Sequence, residues 1–253
     1  MNVLRFSPGN AKLKGISSLS LLAGWSCPFA DECHTKVDLT TNKIIDGPNQ
    51  KFRCFSASQE NIFPAVRKQR QNNFEVLRGM KTSEEMAQAI QNALPVTKKK
   101  IIRIHVSGDF FNQKYFDAWV LVANSNPDYL FYAYTKSLRF WIARLNSIPS
   151  NLKLNASYGG REDHLIEQYN LKSCLVVGSP EEANKMGLKL DKDDSHAYTG
   201  NKSFALLIHG TQKSGSEMGK AKNELRKRGI AGYQRKGKTP NKFRKTEELL
   251  IAA

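Results

Sequence analysis

Five short apolar runs, repeated at near-regular spacing in the second half of the chain, constrain the fold more than any other feature of this sequence. They cover residues 101–107, 130–135, 152–157, 174–177 and 204–209, so successive runs start 22 to 30 residues apart. Each run is continuously apolar rather than alternating, which is typical of a strand that is covered on both faces. The pattern predicts a parallel sheet inside an α/β fold.

Helix-length segments lie between and after these runs, at 113–125, 138–146, 161–169, 181–186 and 217–228. Strands and helices that alternate at this period indicate parallel βαβ units. Five units favour a TIM-like full or partial (β/α) barrel, and an open doubly wound sheet is the alternative.

The first part of the chain has a different character. Residues 1–60 contain many turn-forming residues and three of the four cysteines, whereas 61–77 and 83–94 have helical patterns. We therefore predict a single α/β domain over 1–253, with a cysteine-bearing N-terminal segment at 1–60 and a basic C-terminal extension at 213–253. A polar stretch at 191–200 interrupts the βα rhythm and is predicted to be a loop. Its residues Asp193, Asp194, Ser195 and His196 are candidates for a lid or for an acidic site, and a solvated loop is the alternative.

The cysteines of the first segment are the strongest candidates for chemistry. Cys27 and Cys33 stand in a C-x5-C spacing and Cys54 follows in a second loop-like stretch. Thiolates in irregular loops can converge on one metal centre, and we expect an iron–sulfur cluster before zinc, although the spacing is neither that of a zinc finger nor that of a ferredoxin. The competing interpretation is that the three cysteines are small buried apolar residues.

A fourth protein ligand is harder to identify. Cys174 begins a predicted strand, and we interpret it as a core residue because sites in α/β barrels form at the opposite ends of the strands. His34 and His196 are the other candidates, and an exogenous ligand or an open position is the remaining alternative.

Polar and small residues follow the predicted strands, and a parallel arrangement would bring them to one mouth. Asp109, Lys136 and His209 are predicted to transfer protons or to hold an anionic group. Gly108, Ser157 and Gln212 are predicted to contact a cofactor, since small residues let a ligand approach the backbone closely. For any one of these residues, an ordinary polar turn at a strand end is the simpler explanation.

The charge balance is strongly basic, with 39 Lys and Arg against 23 Asp and Glu and a net charge of +16. Much of this charge lies in 213–245, which is either a nucleic-acid-binding extension or a solvated tail. No signal-peptide pattern opens the chain, and no run approaches the roughly 18 apolar residues of a membrane span. We expect a cytoplasmic protein that does not bind membranes.

Several long motifs resemble one known family. GWSCPFADEC, DGPNQKFRCFSASQE, RIHVSGDFFNQKYFDAW, LNASYGGREDHLI and FALLIHGTQ are similar to the gene-product-88-like proteins of bacteriophages and bacteria, over about residues 15–232. The resemblance implies a partial βα barrel similar to radical S-adenosylmethionine enzymes, with Cys27, Cys33 and Cys54 matching the family pattern and Cys174 outside it. The C-x5-C spacing departs from the C-x3-C-x2-C motif of those radical enzymes.

Three functions follow as hypotheses. The first is a phage-type protein, acting in the host cytoplasm, that holds a [4Fe-4S] cluster on three cysteines with an open or non-cysteine fourth position. It would have a redox or radical role on a small-molecule substrate, with S-adenosylmethionine as a candidate cofactor. The second is a basic nucleic-acid-binding protein with a structural zinc or iron–sulfur site. The third is a hydrolase or transferase without a redox role, although no G-x-S-x-G motif, P-loop or dinucleotide fingerprint supports it.

Overall fold

The chain folds into mixed α and β structure in which short strands alternate with helices. A computed structural model describes residues 3–9, 13 and 15–230. The strands are β1 (Phe6–Ser7), β2 (Ser17–Leu19), β3 (Thr35–Val37), β4 (Ile44–Asp46), β5 (Ile101–Arg103), β6 (Leu130–Thr135), β7 (Leu152–Ser157), β8 (Ser173–Val177), β9 (Lys189–Leu190) and β10 (Phe204–Leu207).

The helices of the described residues lie between and after these strands in the chain. They are α1 (Phe55–Ile62), α2 (Pro64–Gly79), α3 (Ser83–Ala93), α4 (Gln113–Ser125), α5 (Leu138–Ile142), α6 (His164–Gln168), α7 (Pro180–Lys185), α8 (Ser195–Tyr198) and α9 (Glu217–Lys227). None of these helices has both the length and the apolar character that a membrane crossing requires.

Eight strands form one sheet in the order β1-β2-β5-β6-β7-β8-β10-β9, and β3 pairs with β4 in a separate hairpin. Every pairing in the large sheet is parallel except that of β1 with β2. The α/β class and the parallel sheet are thus confirmed, and all five predicted strands are present.

The predicted barrel needs a correction. Among the described residues no strand pairing joins β1 to β9, so the sheet is open and a closed TIM-like barrel is not found. The strand order from β2 to β8 follows the chain without the reversal that defines a doubly wound sheet. A βα rhythm predicts parallel neighbours in chain order but carries no information on whether the first strand reaches the last, because closure depends on tilt and stagger.

One of the two helices predicted before the first apolar run differs from its prediction, and the other begins where it was expected. The stretch predicted as one helix over 61–77 is divided between α1 and α2, because Pro64 occupies the first turn of α2 and cannot donate a backbone hydrogen bond. Helix α3 begins as expected at 83, and Thr82 caps it by accepting a hydrogen bond of 3.1 Å from the backbone N–H of Glu85.

The two faces of the sheet bury different clusters. Alternate residues of β6 point to opposite sides, so Phe131 and Ala133 join the large core under helices α2 to α6, whereas Tyr132 lies in a second cluster. That second cluster also contains Phe204 of β10 and Ala197 of α8. Burial on both sides explains why the strand sequences are continuously apolar.

The polar stretch 191–200 contains the short helix α8 and is only partly exposed to solvent. It lies against β6 and β7, and Asp194 is buried where it accepts a bond of 2.5 Å from Arg103 Nη1 and one of 3.0 Å from the Tyr132 hydroxyl. The stretch is thus partly exposed and partly packed: Lys192 and Asp193 are exposed, whereas Asp194 lines the cavity and has its counter-charge in Arg103 of strand β5.

Candidate metal centre

The three N-terminal cysteines lie in three different structural contexts. Cys27 is in the turn-rich segment after β2, Cys33 stands just before β3, and Cys54 is the residue before the first turn of α1. All three are half-buried free thiols and line one cavity of about 170 Å³. A single ordered water needs only about 10–15 Å³ on this measure, so the cavity has room for a larger group.

The cavity lies at the carboxyl ends of the parallel strands. Its lining comes from the segment after β5, from the ends of β6, β7 and β8, from β10 and the segment that follows it, and from the cysteine segments. The lining residues that carry polar or ionisable side chains are Arg53, Ser56, Arg103, His105, Ser107, Asp109, Tyr134, Thr135, Lys136, Ser157, Asp194 and His209, besides the three cysteines. This is the edge at which parallel α/β proteins build their sites.

The segment between the first two cysteines is fastened to the loop after β7. The backbone N–H groups of Asp31 and Glu32 donate to the carbonyl of Gly159 at 3.2 and 3.0 Å, and Ala30 forms an antiparallel bridge with Gly160. Gly159 has φ +91°, and a Cβ there would lie 3.2 Å from the Glu32 side chain. A glycine is therefore needed where this segment crosses the strand end.

Cys54 is held by the segment after β10. Gln212 accepts a hydrogen bond of 2.9 Å from the backbone N–H of Arg53 and donates one of 3.1 Å to the Arg53 carbonyl. The Arg53 guanidinium binds both carboxylate oxygens of Asp46 on the β3–β4 hairpin. The residue before Cys54 is thus clamped from two sides.

A buried carboxylate connects the Cys27 segment to the helix that follows Cys54. Glu60 of α1 accepts bonds of 3.0 Å from the Ala23 backbone N–H and from the Ser107 hydroxyl, and one of 3.1 Å from Arg70 Nη1. Its side chain is fully buried and that of Arg70 is 8% exposed. Sequence reasoning missed this pair, although an acid at the end of SASQE, whose other residues are small or polar, was a usable signal.

The cysteine thiols influence one another electrostatically. Burial raises the pKa of Cys27 well above its usual value, and the charges of Asp109, Cys54 and Cys33 raise it further. Burial and the Cys33 charge raise the pKa of Cys54 to about 11. Hydrogen bonds from the backbone amides of Ala57 and Ser56 lower this pKa, but by less than burial raises it. Without a metal these two thiols are protonated at neutral pH, so metal binding would have to release their protons.

Five of the six predicted mouth residues line this cavity: Gly108, Asp109, Lys136, Ser157 and His209. Gln212 is not among the lining residues, because its amide is bonded to the backbone of Arg53 and of His209. The catalytic and cofactor-binding roles of all six stay predictions.

Asp109 joins two strand ends. It accepts hydrogen bonds from the Thr135 hydroxyl at 2.6 Å, from the Lys136 backbone N–H at 2.8 Å and from the Phe110 backbone N–H at 2.7 Å. Burial raises the pKa of Asp109 to about 6, although these hydrogen bonds favour the charged carboxylate and lower its pKa. Asp109 therefore fixes the end of β6 beside the segment after β5, whatever further role it has.

Lys136 and His209 are held at the strand ends in different ways. Lys136 is 7% exposed, and its ammonium donates to the Ser157 hydroxyl at 2.6 Å and to the Ser157 carbonyl at 3.1 Å. The His209 ring lies 4.5 Å, centre to centre, from the ring of Phe55, and its Nδ1 is 3.1 Å from the Leu207 carbonyl.

The candidate fourth ligands do not line the cavity. Cys174 is 2% exposed within the apolar cluster of Tyr132 and Phe204, in agreement with its prediction as a core residue. His196 lies 3.6 Å from Asp191 on the segment that covers β6 and β7, and His34 is also absent from the lining. In the part of the chain that the structure describes, no three His, Cys, Asp or Glu side chains are grouped closely enough to hold a single metal ion.

Comparison with known proteins assigns the chain to a family. A family profile described as Gene product 88 matches residues 3–231, which is most of the chain. The chain belongs to the gene product 88 family. The resemblance seen in its motifs is thereby confirmed, whereas the similarity to radical S-adenosylmethionine enzymes is not supported by these matches.

Two members of the gene product 88 family are similar over part of their length. The Gene 88 protein of Mycobacterium phage L5 is 31% identical over 137 residues, covering 51% of this chain and 51% of that protein. The Gene 88 protein of Mycobacterium phage D29 is 30% identical over 137 residues, covering 51% of this chain and 50% of that protein. The chain thus spans about half the length of these relatives, and no solved structure matches it.

Proposed function

We propose that this protein binds a [4Fe-4S] cluster through Cys27, Cys33 and Cys54 and leaves one iron without a protein thiolate. One observation carries the proposal: three free thiols from separate segments line a single cavity at the carboxyl ends of parallel strands. The donor set suits iron–sulfur chemistry, since thiolates are the usual cluster ligands.

A cluster fits this arrangement better than a zinc ion. Zinc binds thiolates at about 2.3 Å in a tetrahedron, which requires sulfur atoms about 3.8 Å apart. In a cluster each thiolate binds its own iron, so the sulfur atoms lie farther apart than around one ion, as separate anchored segments allow.

When bound, such a cluster supplies one-electron transfer and an iron that a small molecule can approach. The chain's own residues shape the space beside it. Val176, Leu206 and Ile208 contribute an apolar wall, and Asp109 and Lys136 contribute charged groups. A small-molecule ligand with both apolar and polar parts would suit this lining.

A radical S-adenosylmethionine role is a finer form of the same proposal, and so is the description of the sheet as a partial barrel. Both draw support from the six parallel strands that follow chain order and from the cysteines at their carboxyl edge. The addition of S-adenosylmethionine to the reduced protein tests the first directly, because a ligand on the open iron changes the electronic spectrum of the cluster.

Single cysteine variants test the ligand assignment. We expect Cys27→Ala, Cys33→Ala and Cys54→Ala to lose most of the iron and sulfide that the wild-type protein binds after anaerobic reconstitution. Cys174→Ala is the matched control, because it removes a buried thiol that does not line the cavity, and it should keep full loading. Full loading in any of the first three variants, or equal loss in all four, would reject the assignment.

Nucleic-acid binding is the second candidate function, and the exposed cations of the α9 region favour it. Lys213, Lys220 and Arg226 are exposed there, in a chain of net charge +16. Residues 231–253 of the predicted basic extension lie outside the described residues. Binding to duplex DNA should weaken steeply with salt and should vanish when 213–253 is deleted, and retained binding would reject this extension as the site.

A further inference from the structure

Lys136 is a buried cation whose ammonium forms no direct ion pair among the described residues. Its side chain reaches only the hydroxyl and the carbonyl of Ser157, both neutral acceptors. No carboxylate among the described residues lies within 4.0 Å of its ammonium, whereas Arg53 and Arg103, which line the same cavity, are paired with Asp46 and Asp194.

A buried ammonium without a counter-charge is expensive. The effective penalty is several kcal/mol per ion, and two bonds to neutral oxygens offset only part of it. A methionine would fill this position without that penalty. Asp109 and Asp163 stabilise this charge through space without an ion-pair contact, and an anion in the cavity would be its direct partner.

The surroundings of Lys136 indicate where this anion would be. Lys136 lines the same cavity as Cys27, Cys33 and Cys54. A cysteine carries a negative charge only as a thiolate, and coordination to a metal converts a thiol into a thiolate.

We propose that Lys136 is the counter-charge of the metal centre and raises its reduction potential by stabilising the more negative, reduced state. The inference rests on the proposed cluster. Net charge is among the factors that set cluster potentials, and a fixed cation on the wall of the same cavity adds positive charge beside the cluster. Lys136 acts through the ligand thiolate and is a positioning and tuning residue.

The test compares Lys136→Met with Lys136→Arg in the full-length protein after anaerobic reconstitution. The reduced fraction of the cluster is followed by electron paramagnetic resonance in a redox titration. At a fixed solution potential, Lys136→Met should lower the ratio of reduced to oxidised cluster at least tenfold, a shift of about 59 mV for a one-electron couple. Lys136→Arg should restore most of the wild-type ratio of reduced to oxidised cluster. Lys172→Met removes a lysine bonded to carbonyls of the 191–200 stretch and should leave this ratio unchanged.

A second readout separates counter-charge from simple packing. In urea unfolding, Lys136→Met should be at least as stable as wild type without the metal and less stable than wild type with it. Equal destabilisation in both forms, or an unchanged potential in fully loaded Lys136→Met, would overturn the role of Lys136 while leaving the cluster in place. Wild-type protein that takes up neither iron nor sulfide would instead overturn the proposed function, and this inference with it.

Discussion

Replacement of Glu60 tests the network that fixes the Cys27 segment to helix α1. Glu60 is fully buried, its partner Arg70 is 8% exposed, and their closest contact is 3.1 Å. Loss of one member of a buried ion pair costs about 3–5 kcal/mol, because the other charge is left uncompensated. Glu60→Gln keeps an acceptor oxygen for the Ala23 amide and the Ser107 hydroxyl, so we expect it to lower the free energy of unfolding by about 3 kcal/mol.

Glu60→Ala should lower the free energy of unfolding more than Glu60→Gln does. It removes the acceptor for two further buried donors, each worth about 1 kcal/mol, so a loss of about 5 kcal/mol is expected. The assay is urea unfolding of the metal-free protein, with Arg70→Met and the double variant Glu60→Gln/Arg70→Met completing a double-mutant cycle. The double variant should be more stable than the sum of the two single losses predicts, because it leaves no unpaired charge.

The cycle can contradict this account of the network. If the loss of unfolding free energy in the double variant equals the sum of the two single losses within about 0.5 kcal/mol, Glu60 and Arg70 do not interact as a buried pair. If Glu60→Ala loses less than about 1 kcal/mol, the carboxylate does not hold the Cys27 segment in place.

Three further predictions concern pH, backbone conformation and the clamp on the cysteine segment. Burial lowers the pKa of His105 to about 3, so the unfolded chain binds a proton that the folded chain rejects. The free energy of unfolding should therefore fall as pH drops from about 6.5 towards 3, by up to about 1.4 kcal/mol per pH unit. In urea titrations at several pH values, His105→Phe should remove this pH dependence. An unchanged pH dependence would mean that other groups cause it. Gly108 has φ +86°, and a Cβ added there would lie 2.5 Å from the Ser26 hydroxyl oxygen. Gly187 has a similar φ of +68°, but a Cβ added there would have no atom within 4 Å. Gly108→Ala should thus lose more unfolding free energy than Gly187→Ala by at least about 1 kcal/mol, and equal losses would refute the steric argument. Gln212→Ala should lower the free energy of unfolding by about 1–2 kcal/mol and should lower iron retention, because the backbone of Arg53 loses two hydrogen bonds. Normal iron retention would show that this clamp does not position Cys54.

The parallel sheet could be predicted because each strand is buried on both faces and so carries a continuous apolar signal. Strand β2 was missed because its sequence, SSL, is short and rich in serine. Sheet closure could not be read from the sequence either, since it depends on how far apart the edge strands β1 and β9 finally lie.

The site was partly predictable for a similar reason. Residues that follow parallel strands meet at one edge, so the positions of Asp109, Lys136 and His209 along the sequence were enough to group them. The pairing of Arg103 with Asp194 could not be predicted, because a contact between residues 91 positions apart depends on the path of the 191–200 stretch. A lone arginine within the apolar run IIRIHVS was the one sign that something buried would have to meet its charge.

The central claim is that three cysteines hold a four-iron cluster with one open iron, and elemental analysis with electron paramagnetic resonance tests it most directly. Full-length protein reconstituted without oxygen should contain about four irons and four acid-labile sulfides per chain, as the [4Fe-4S] formula requires. Reduction with dithionite should produce a cluster signal that changes when a small ligand such as S-adenosylmethionine is added. Protein that binds stoichiometric zinc, or that shows neither sulfide nor a cluster signal after reconstitution, would contradict the account.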